Sequence, residues 1–402
     1  MPTLAASDLL MLLLPIAAAS GWWIARYDQR HRRNDTPRDL PKAYFKGLNF
    51  LLNEQPDKAI EVFIKVLEED AGTVETHLAL GNLFRRRGEV ERAIRVHQNL
   101  IARPTLDKQQ RSQALLELGQ DYLKAGLFDR AENLFLELAE IRLHTAQALR
   151  FLVQIYQQEK EWDKAIAISR KLARTAGKSQ DHVIAQYYCE KAEQAILDKD
   201  MPEARKLVAE ALGCDSDCVR GSMLLGRIET IEARPREAIK AWKRVEQQDP
   251  LYLGEVANQI AASYRSLNDE AGLYDYFSGV LQRHANVSVM LALADIVKNR
   301  DGVDAAEDFV ATWLRKQPSV HGLYRLIELN MVEADAATRS DLVLLCGIIE
   351  RLMEQQRGYI CQQCGFRGKI LYWQCPGCQH WNTVKPLLNM MESPEEGKRH
   401  DG

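Results

Sequence analysis

The apolar and polar positions along the chain fall into two patterns. From Leu4 to Ala25 the sequence LAASDLLMLLLPIAAASGWWIA carries a single charge, Asp8. At about 1.5 Å per residue such a run reaches roughly 33 Å as a helix, enough for a bilayer core of about 30 Å. It predicts one membrane-spanning helix with Trp22 and Trp23 at its interfacial end. From Tyr44 onward the apolar positions instead recur with helical period, in short segments that come in pairs. YFKGLNFLLNEQPDKAIEVFIKVLEED holds one such pair, and HLALGNLFRRRGEVERAIRVHQNLIARP repeats it from His77.

Charge orients the apolar run. No Lys or Arg precedes it, whereas Arg26, Arg30, Arg32, Arg33, Arg38, Lys42 and Lys46 follow it, which places the chain after residue 25 on the cytoplasmic side. Ala17-Ala18-Ala19 has the small residues of a cleavage site, but a signal peptide carries its positive charge before the apolar run. The expectation is an uncleaved single-pass anchor in the lipid bilayer (residues 1–25), followed by a short basic linker (26–40).

Gly47 to Gly81 and Ala59 to Ala93 are each 34 residues apart. The small slot of the second segment then recurs at Ala59, Ala93, Ala131, Ala165, Ala204, Ala238, Leu273 and Ala306, at intervals of 34, 38, 34, 39, 34, 35 and 33. Two helices that cross closely need a small residue on each facing side. The first helices offer Gly47, Gly81, Gly119 and Gly226, and a bulky residue sits four after the second-helix slot at Phe63, Phe135, Trp242 and Phe277. Phe84, Tyr122, Tyr156 and Tyr264 fill the same seam, and Pro250 and Pro318 stand where a second helix should stop. The period and slots resemble the tetratricopeptide-repeat (TPR) family. Residues 41–356 thus read as an all-α TPR solenoid of eight repeats, with a degraded ninth pair in roughly 323–355. The resemblance implies a right-handed superhelix whose concave face binds peptides or protein surfaces. By the family's register, Tyr44, Asn82, Arg85, Arg86, Gln120 and Lys124 face that groove, and Arg85-Arg86-Arg87 with Asn82 could clamp an acidic segment or a carboxylate.

After the repeats, YICQQCGFRGKILYWQCPGCQHWNTVKP places Cys361, Cys364, Cys375 and Cys378 as C-x2-C-x10-C-x2-C. Each C-x2-C closes a knuckle in which two thiolates grip one ion, and Gly365 and Pro376-Gly377 let the chain turn there. Four thiolates complete a tetrahedral site with no open position, suited to zinc or iron. The knuckles resemble those of rubredoxin and of zinc ribbons, but rubredoxin's spacer is much longer, which favours a structural staple over electron transfer. The ribbon (357–386) carries Phe366, Tyr372, Trp373 and Trp381, more rings than it can enclose, so some are expected to pack on the last TPR helices. Residues 387–402 read as a disordered tail.

Composition narrows the function. The net charge of −3 leaves no basic surplus for a nucleic-acid backbone. With 23 Gly and 13 Pro in 402 residues the chain favours helix. No phosphate loop, H-E-x-x-H or G-x-S-x-G motif occurs, so no enzyme is expected. Cys214 and Cys218 share a helical spacing but have no histidine or further cysteine beside them in sequence.

The ordered set of anchor Leu4–Ala25, Gly47/Ala59-type repeats and YICQQCGF…WQCPGCQHW resembles the lipopolysaccharide assembly protein B family of Gram-negative bacteria. That resemblance implies an inner-membrane adaptor that helps the AAA protease FtsH degrade LpxC, the deacetylase committing precursors to lipid A. It also implies contacts with other lipopolysaccharide-synthesis enzymes, and a rubredoxin-type iron on Cys361, Cys364, Cys375 and Cys378. The alternatives are a scaffold gathering those enzymes at the membrane and a redox protein.

Overall fold

The computed structural model describes residues 42–53, 55–69, 73–332, 334–355 and 358–387. The expected membrane span, the basic linker and the tail after residue 387 lie outside the described residues. Among the described residues, no helix is long and apolar enough to cross a membrane.

Two compact units divide at His144. The first contains three helix pairs: α1 (Lys42–Leu52) with α2 (Pro56–Glu69), α3 (Val74–Arg86) with α4 (Val90–Ile101), and α5 (Lys108–Lys124) with α6 (Phe128–Glu140). The second begins with α7 (Thr145–Gln158) and α8 (Trp162–Ala176), α9 (Asp181–Leu197) and α10 (Met201–Cys214), and α11 (Val219–Ile231) and α12 (Pro235–Gln248). It continues with α13 (Leu253–Ser266) and α14 (Glu270–Arg283), α15 (Val287–Asp301) and α16 (Val303–Lys316), and α17 (Val320–Asn330) and α18 (Ala336–Gln355). A three-stranded antiparallel sheet of order β2-β1-β3 ends it: β1 (Tyr359–Cys361), β2 (Arg367–Gly368) and β3 (Val384–Pro386). The chain is an all-α TPR solenoid with a C-terminal zinc ribbon.

The repeat slots do what their spacing demands. None of the eight second-helix slot residues, Ala59 through Ala306, exposes any surface. Each first-helix glycine lies under a ring sixteen residues later: a Cβ on Gly47 would meet Phe63 at 2.6 Å, on Gly81 His97 at 2.3 Å, on Gly119 Phe135 at 2.6 Å, and on Gly226 Trp242 at 2.4 Å. Where the first helix carries alanine at this offset, the partner is Val208 for Ala192, Phe277 for Ala261 and Val310 for Ala294, all buried. In four pairs the aromatic seam is covered by a cation eight residues on: Lys58 over Phe50, Arg92 over Phe84, Arg130 over Tyr122 and Lys164 over Tyr156.

The turns within pairs share one device that the glycines only partly revealed. Gly88, Gly126, Lys160, Lys199, Ala233 and Asn268, each five before a slot residue, adopt positive φ. The next residue's N–H then bonds back to the carbonyl five residues earlier, as in Asp200 to Ala195 and Asp269 to Tyr264, closing the first helix with a Schellman turn. The two long intervals in the slot series are absorbed by α5 and α9, each 17 residues.

Candidate metal centre

The two cysteine knuckles are built alike, fourteen residues apart. In the first, the Cys361 N–H bonds to the Phe366 carbonyl at 2.7 Å and the Gly365 N–H to the Cys361 carbonyl at 2.9 Å. In the second, Cys375 bonds to His380 at 2.9 Å and Gln379 to Cys375 at 2.8 Å. Both turns need a left-handed residue after the second cysteine. Gly365 takes it at φ 74° in one, Gln379 at φ 59° in the other. The sequence pattern assigns that turn to Pro376-Gly377; Gly377 instead lies beside the Cys364 sulfur, where a Cβ would make ordinary contact at 3.4 Å. The strands β1 and β3 pair Cys361 with Val384 and hold the first knuckle beneath the second.

The four sulfurs lie within 4.8 Å of one another. Cys361 and Cys378 are 3.7 Å apart, as are Cys364 and Cys375. A tetrahedron with metal–sulfur bonds of about 2.3 Å has sulfur–sulfur edges of about 3.8 Å, so the donor set fits one zinc or iron ion. The thiols are in electrostatic conflict by themselves. Burial opposes ionisation of Cys361, but the Thr383 hydroxyl and the N–H groups of Cys364 and Gln363 bring it down to about 6. The Phe366 N–H favours the Cys364 thiolate, yet burial and the neighbouring sulfurs push that thiol up to about 12. A bound divalent cation supplies the charge that lets all four sulfurs ionise together. The His380 ring is not part of this cluster. It is exposed, with its Nδ1 2.9 Å from the Cys378 carbonyl.

Among the described residues, the ribbon's ring contacts and hydrogen bonds to the array do not fall on the last helices. The ribbon folds back onto the fourth to seventh pairs, which corrects the sequence expectation. Trp381 makes edge contacts with Trp162 and Tyr187, themselves stacked at 5.7 Å. The Gln157 carbonyl accepts from Gln374 at 3.0 Å and Trp381 at 3.4 Å, while its amide donates to the Tyr187 hydroxyl at 2.6 Å. Trp373 stacks on Tyr252, whose hydroxyl donates to the Val384 carbonyl at 3.1 Å. Tyr359 donates to Glu255 at 2.8 Å, and Lys385 pairs with Asp249 at 2.9 Å. The receiving residues lie mainly on the first helices α7, α9 and α13 and on the turn Pro250–Tyr252. Ring matching and hydrogen-bond pairing decide the docking position, and the array supplies both there. Gln157, Trp162, Tyr187 and Tyr252 are not singled out by the sequence pattern. Their one signal is size and polarity in repeats that otherwise read as ordinary.

The proposed groove residues fall in the first unit. Arg85 is taken up internally: it bonds Asn82 at 2.7 Å, Glu117 at 2.6 Å and Asp121 at 2.7 Å, and Asp121 in turn bonds buried His97 at 2.5 Å. Its guanidinium is therefore a seam between α3 and α5, and Arg87 pairs with Asp57 and Glu89. Gln120 bonds Glu117 at 3.3 Å; Arg86 and Lys124 are exposed. Tyr44 lies on α1, and its side chain is outside the described residues. Of the other cysteines, Cys218 pairs in space with Cys189, sulfurs 3.8 Å apart and both buried, and not with Cys214. Burial keeps the Cys189 thiol protonated.

The rubredoxin metal binding domain family matches residues 359–386, and tetratricopeptide-repeat families match 76–112 and 116–180. Lipopolysaccharide assembly protein B of Escherichia coli strain K12 is 36% identical over 384 residues, covering 95% of this chain and 99% of its own. The protein of the same name from Haemophilus influenzae strain Rd is 35% identical over 391 residues, covering 95% and 98%. Such identity along nearly the whole of both relatives, together with the rubredoxin-type match over all four clustered cysteines, shows that the chain belongs to the lipopolysaccharide assembly protein B family.

Proposed function

We propose that this chain is a non-enzymatic adaptor in the control of lipopolysaccharide synthesis. It is held at the inner membrane by Leu4–Ala25 and presents the deacetylase LpxC to the membrane protease FtsH. The names of its relatives supply the pathway. The observation that carries the adaptor reading is how the metal ribbon is used. All four sulfurs converge on one ion site, and two of the ribbon's aromatic side chains, Trp373 and Trp381, are committed to the array. A metal with a closed ligand set stiffens a binding surface and offers no coordination position to a substrate. An anchor beside such a surface raises the local concentration of a bound client next to a membrane protease.

The test is the half-life of the deacetylase in cells carrying the full-length chain, a chain lacking Leu4–Ala25, or one lacking the repeats, at matched expression. The adaptor reading expects a short half-life with the full-length chain alone. Equal half-lives in all three would remove it. Co-purification of several lipopolysaccharide-synthesis enzymes from the native membrane, with no change in half-life, would then support the scaffold.

A further inference from the structure

Beside the docked ribbon, the first-helix face is open. A cavity of about 400 Å³ is walled by Met223, Leu224, Ile231, Trp242 and Ala262 of the array and by Trp373 of the ribbon. A second, of about 410 Å³, shares Thr230 and Ala262 with it and continues along Ala233, Pro235 and Ser266. The two form one groove between the sixth and seventh helix pairs.

The charges at the first cavity are unequally matched. Arg220 is held by Glu190 at 2.8 Å and Glu193 at 3.0 Å, and Glu255 accepts from the Tyr359 hydroxyl. Arg227 is exposed at the cavity and has no acidic partner among the described residues. The groove thus combines an apolar wall with one exposed arginine that lacks an acidic partner among the described residues.

We infer that this groove holds an extended client segment in which a large apolar side chain stands next to an acidic residue, and that the metal ribbon completes the site. The apolar side chain fills the space between Trp242, Met223 and Trp373. The acid answers Arg227 with a charge-assisted hydrogen bond. Two cavities in series fit a chain that passes through, which favours an internal segment over a chain end. Trp373 lies in the spacer between the knuckles, stacked on Tyr252 at 5.5 Å and with the Arg220 guanidinium 5.7 Å from its ring. Its wall exists only while the ribbon is folded and docked, so client binding is coupled to metal loading.

The inference rests on the adaptor reading, and its test is independent of the deacetylase. Full-length protein in detergent micelles is applied to immobilised peptides of random sequence with amidated C-termini. The metal-loaded protein should select peptides with Phe, Leu or Met beside Asp or Glu. Arg227→Glu should move the selection toward Lys and Arg neighbours, a swap that misfolding cannot mimic. Trp373→Ala, and chelation of the metal, should each weaken the selected peptides about tenfold, the scale of one lost interaction of about 1.4 kcal/mol, with helical circular dichroism retained. Absence of that selection, indifference to Arg227→Glu, or binding unchanged by both Trp373→Ala and chelation would overturn the inference. Selection that behaves as expected while deacetylase half-life ignores the protein supports the groove and removes only the proposed client.

Discussion

Gly226 and Trp242 allow the seam between paired helices to be tested by a change of sign. A Cβ on Gly226 would lie 2.4 Å from Cε2, 2.5 Å from Cδ2 and 2.8 Å from Cε3 of the indole. These are fused-ring atoms, and a buried rigid ring cannot step aside. Gly226→Ala gains roughly 0.5–1 kcal/mol of helix preference and loses about 1–3 kcal/mol to overpacking. The net expectation is a loss of about 1–2 kcal/mol. The chain already contains the alternative solution, with Ala192 opposite Val208 and Ala294 opposite Val310 at the same offset. Trp242→Val alone should cost about 3 kcal/mol through the cavity it leaves. In that background Gly226→Ala adds a methyl to vacant space, so it keeps the helix gain and adds about 0.8 kcal/mol of burial. The same substitution should therefore destabilise the natural chain and stabilise the variant. Hydrogen exchange of amides in α11 and α12, measured on all four proteins, reads this locally, as a repeat array requires. If Gly226→Ala shifts protection in the same direction and amount in both backgrounds, the ring-on-glycine account is wrong.

Purified protein should carry about one zinc or iron per chain, and Cys361→Ser or Cys375→Ser should lose it and raise exchange at Gln157 and Tyr187; metal content by mass spectrometry decides. Lys199→Gly should stabilise the fifth pair by about 0.5–1 kcal/mol, because it relieves a left-handed lysine; a lower urea midpoint for exchange in α9 and α10 would contradict it. Burial lowers the pKa of His77, whose Nδ1 faces the Thr73 carbonyl at 3.1 Å and whose Nε2 faces Arg103 at 2.7 Å. The unfolded chain binds a proton first as pH falls, so this contribution is present above the ordinary value of about 6.5 and is lost below it. His77→Asn should flatten that loss of protection in α3 between neutral and mildly acid pH.

The repeats were legible because seven of their eight slots, as at Ala59 or Ala93, carry the small residue that close helix contact favours, so the series prints a period that Leu273 alone interrupts. The same pattern left His97 unread. It occupies a ring slot, but as a polar residue it also serves Asp121, a partnership of long range. The turns were half hidden, since four of the six shared left-handed positions carry Lys, Ala or Asn where glycine is the usual mark. The cysteine knuckles were plain, because metal geometry fixes their spacing. The commitment of Arg85 to Glu117 and Asp121 has no mark in the sequence, because these neighbours on α5 are more than thirty residues away. The ribbon's surplus of rings announces a docking, but its place has no local signature: nothing around Trp381 names Trp162 or Tyr187.

That docking also sets a schedule for the birth of the molecule. Gln157 waits for Gln374 and Trp381, 217 and 224 residues further along the chain. Helix pairs can close as they leave the ribosome, but this seam cannot. At ~5–20 residues per second the delay is about 10–40 s, and metal delivery extends it. Until the ribbon docks, Trp162, Tyr187 and Tyr252, each once made, lack their covers. A chain stalled in synthesis, truncated before Cys361 or starved of metal presents the same bare aromatic surface. Maturation is thus reported at a single place, and cellular quality control could distinguish finished from unfinished copies by that surface alone.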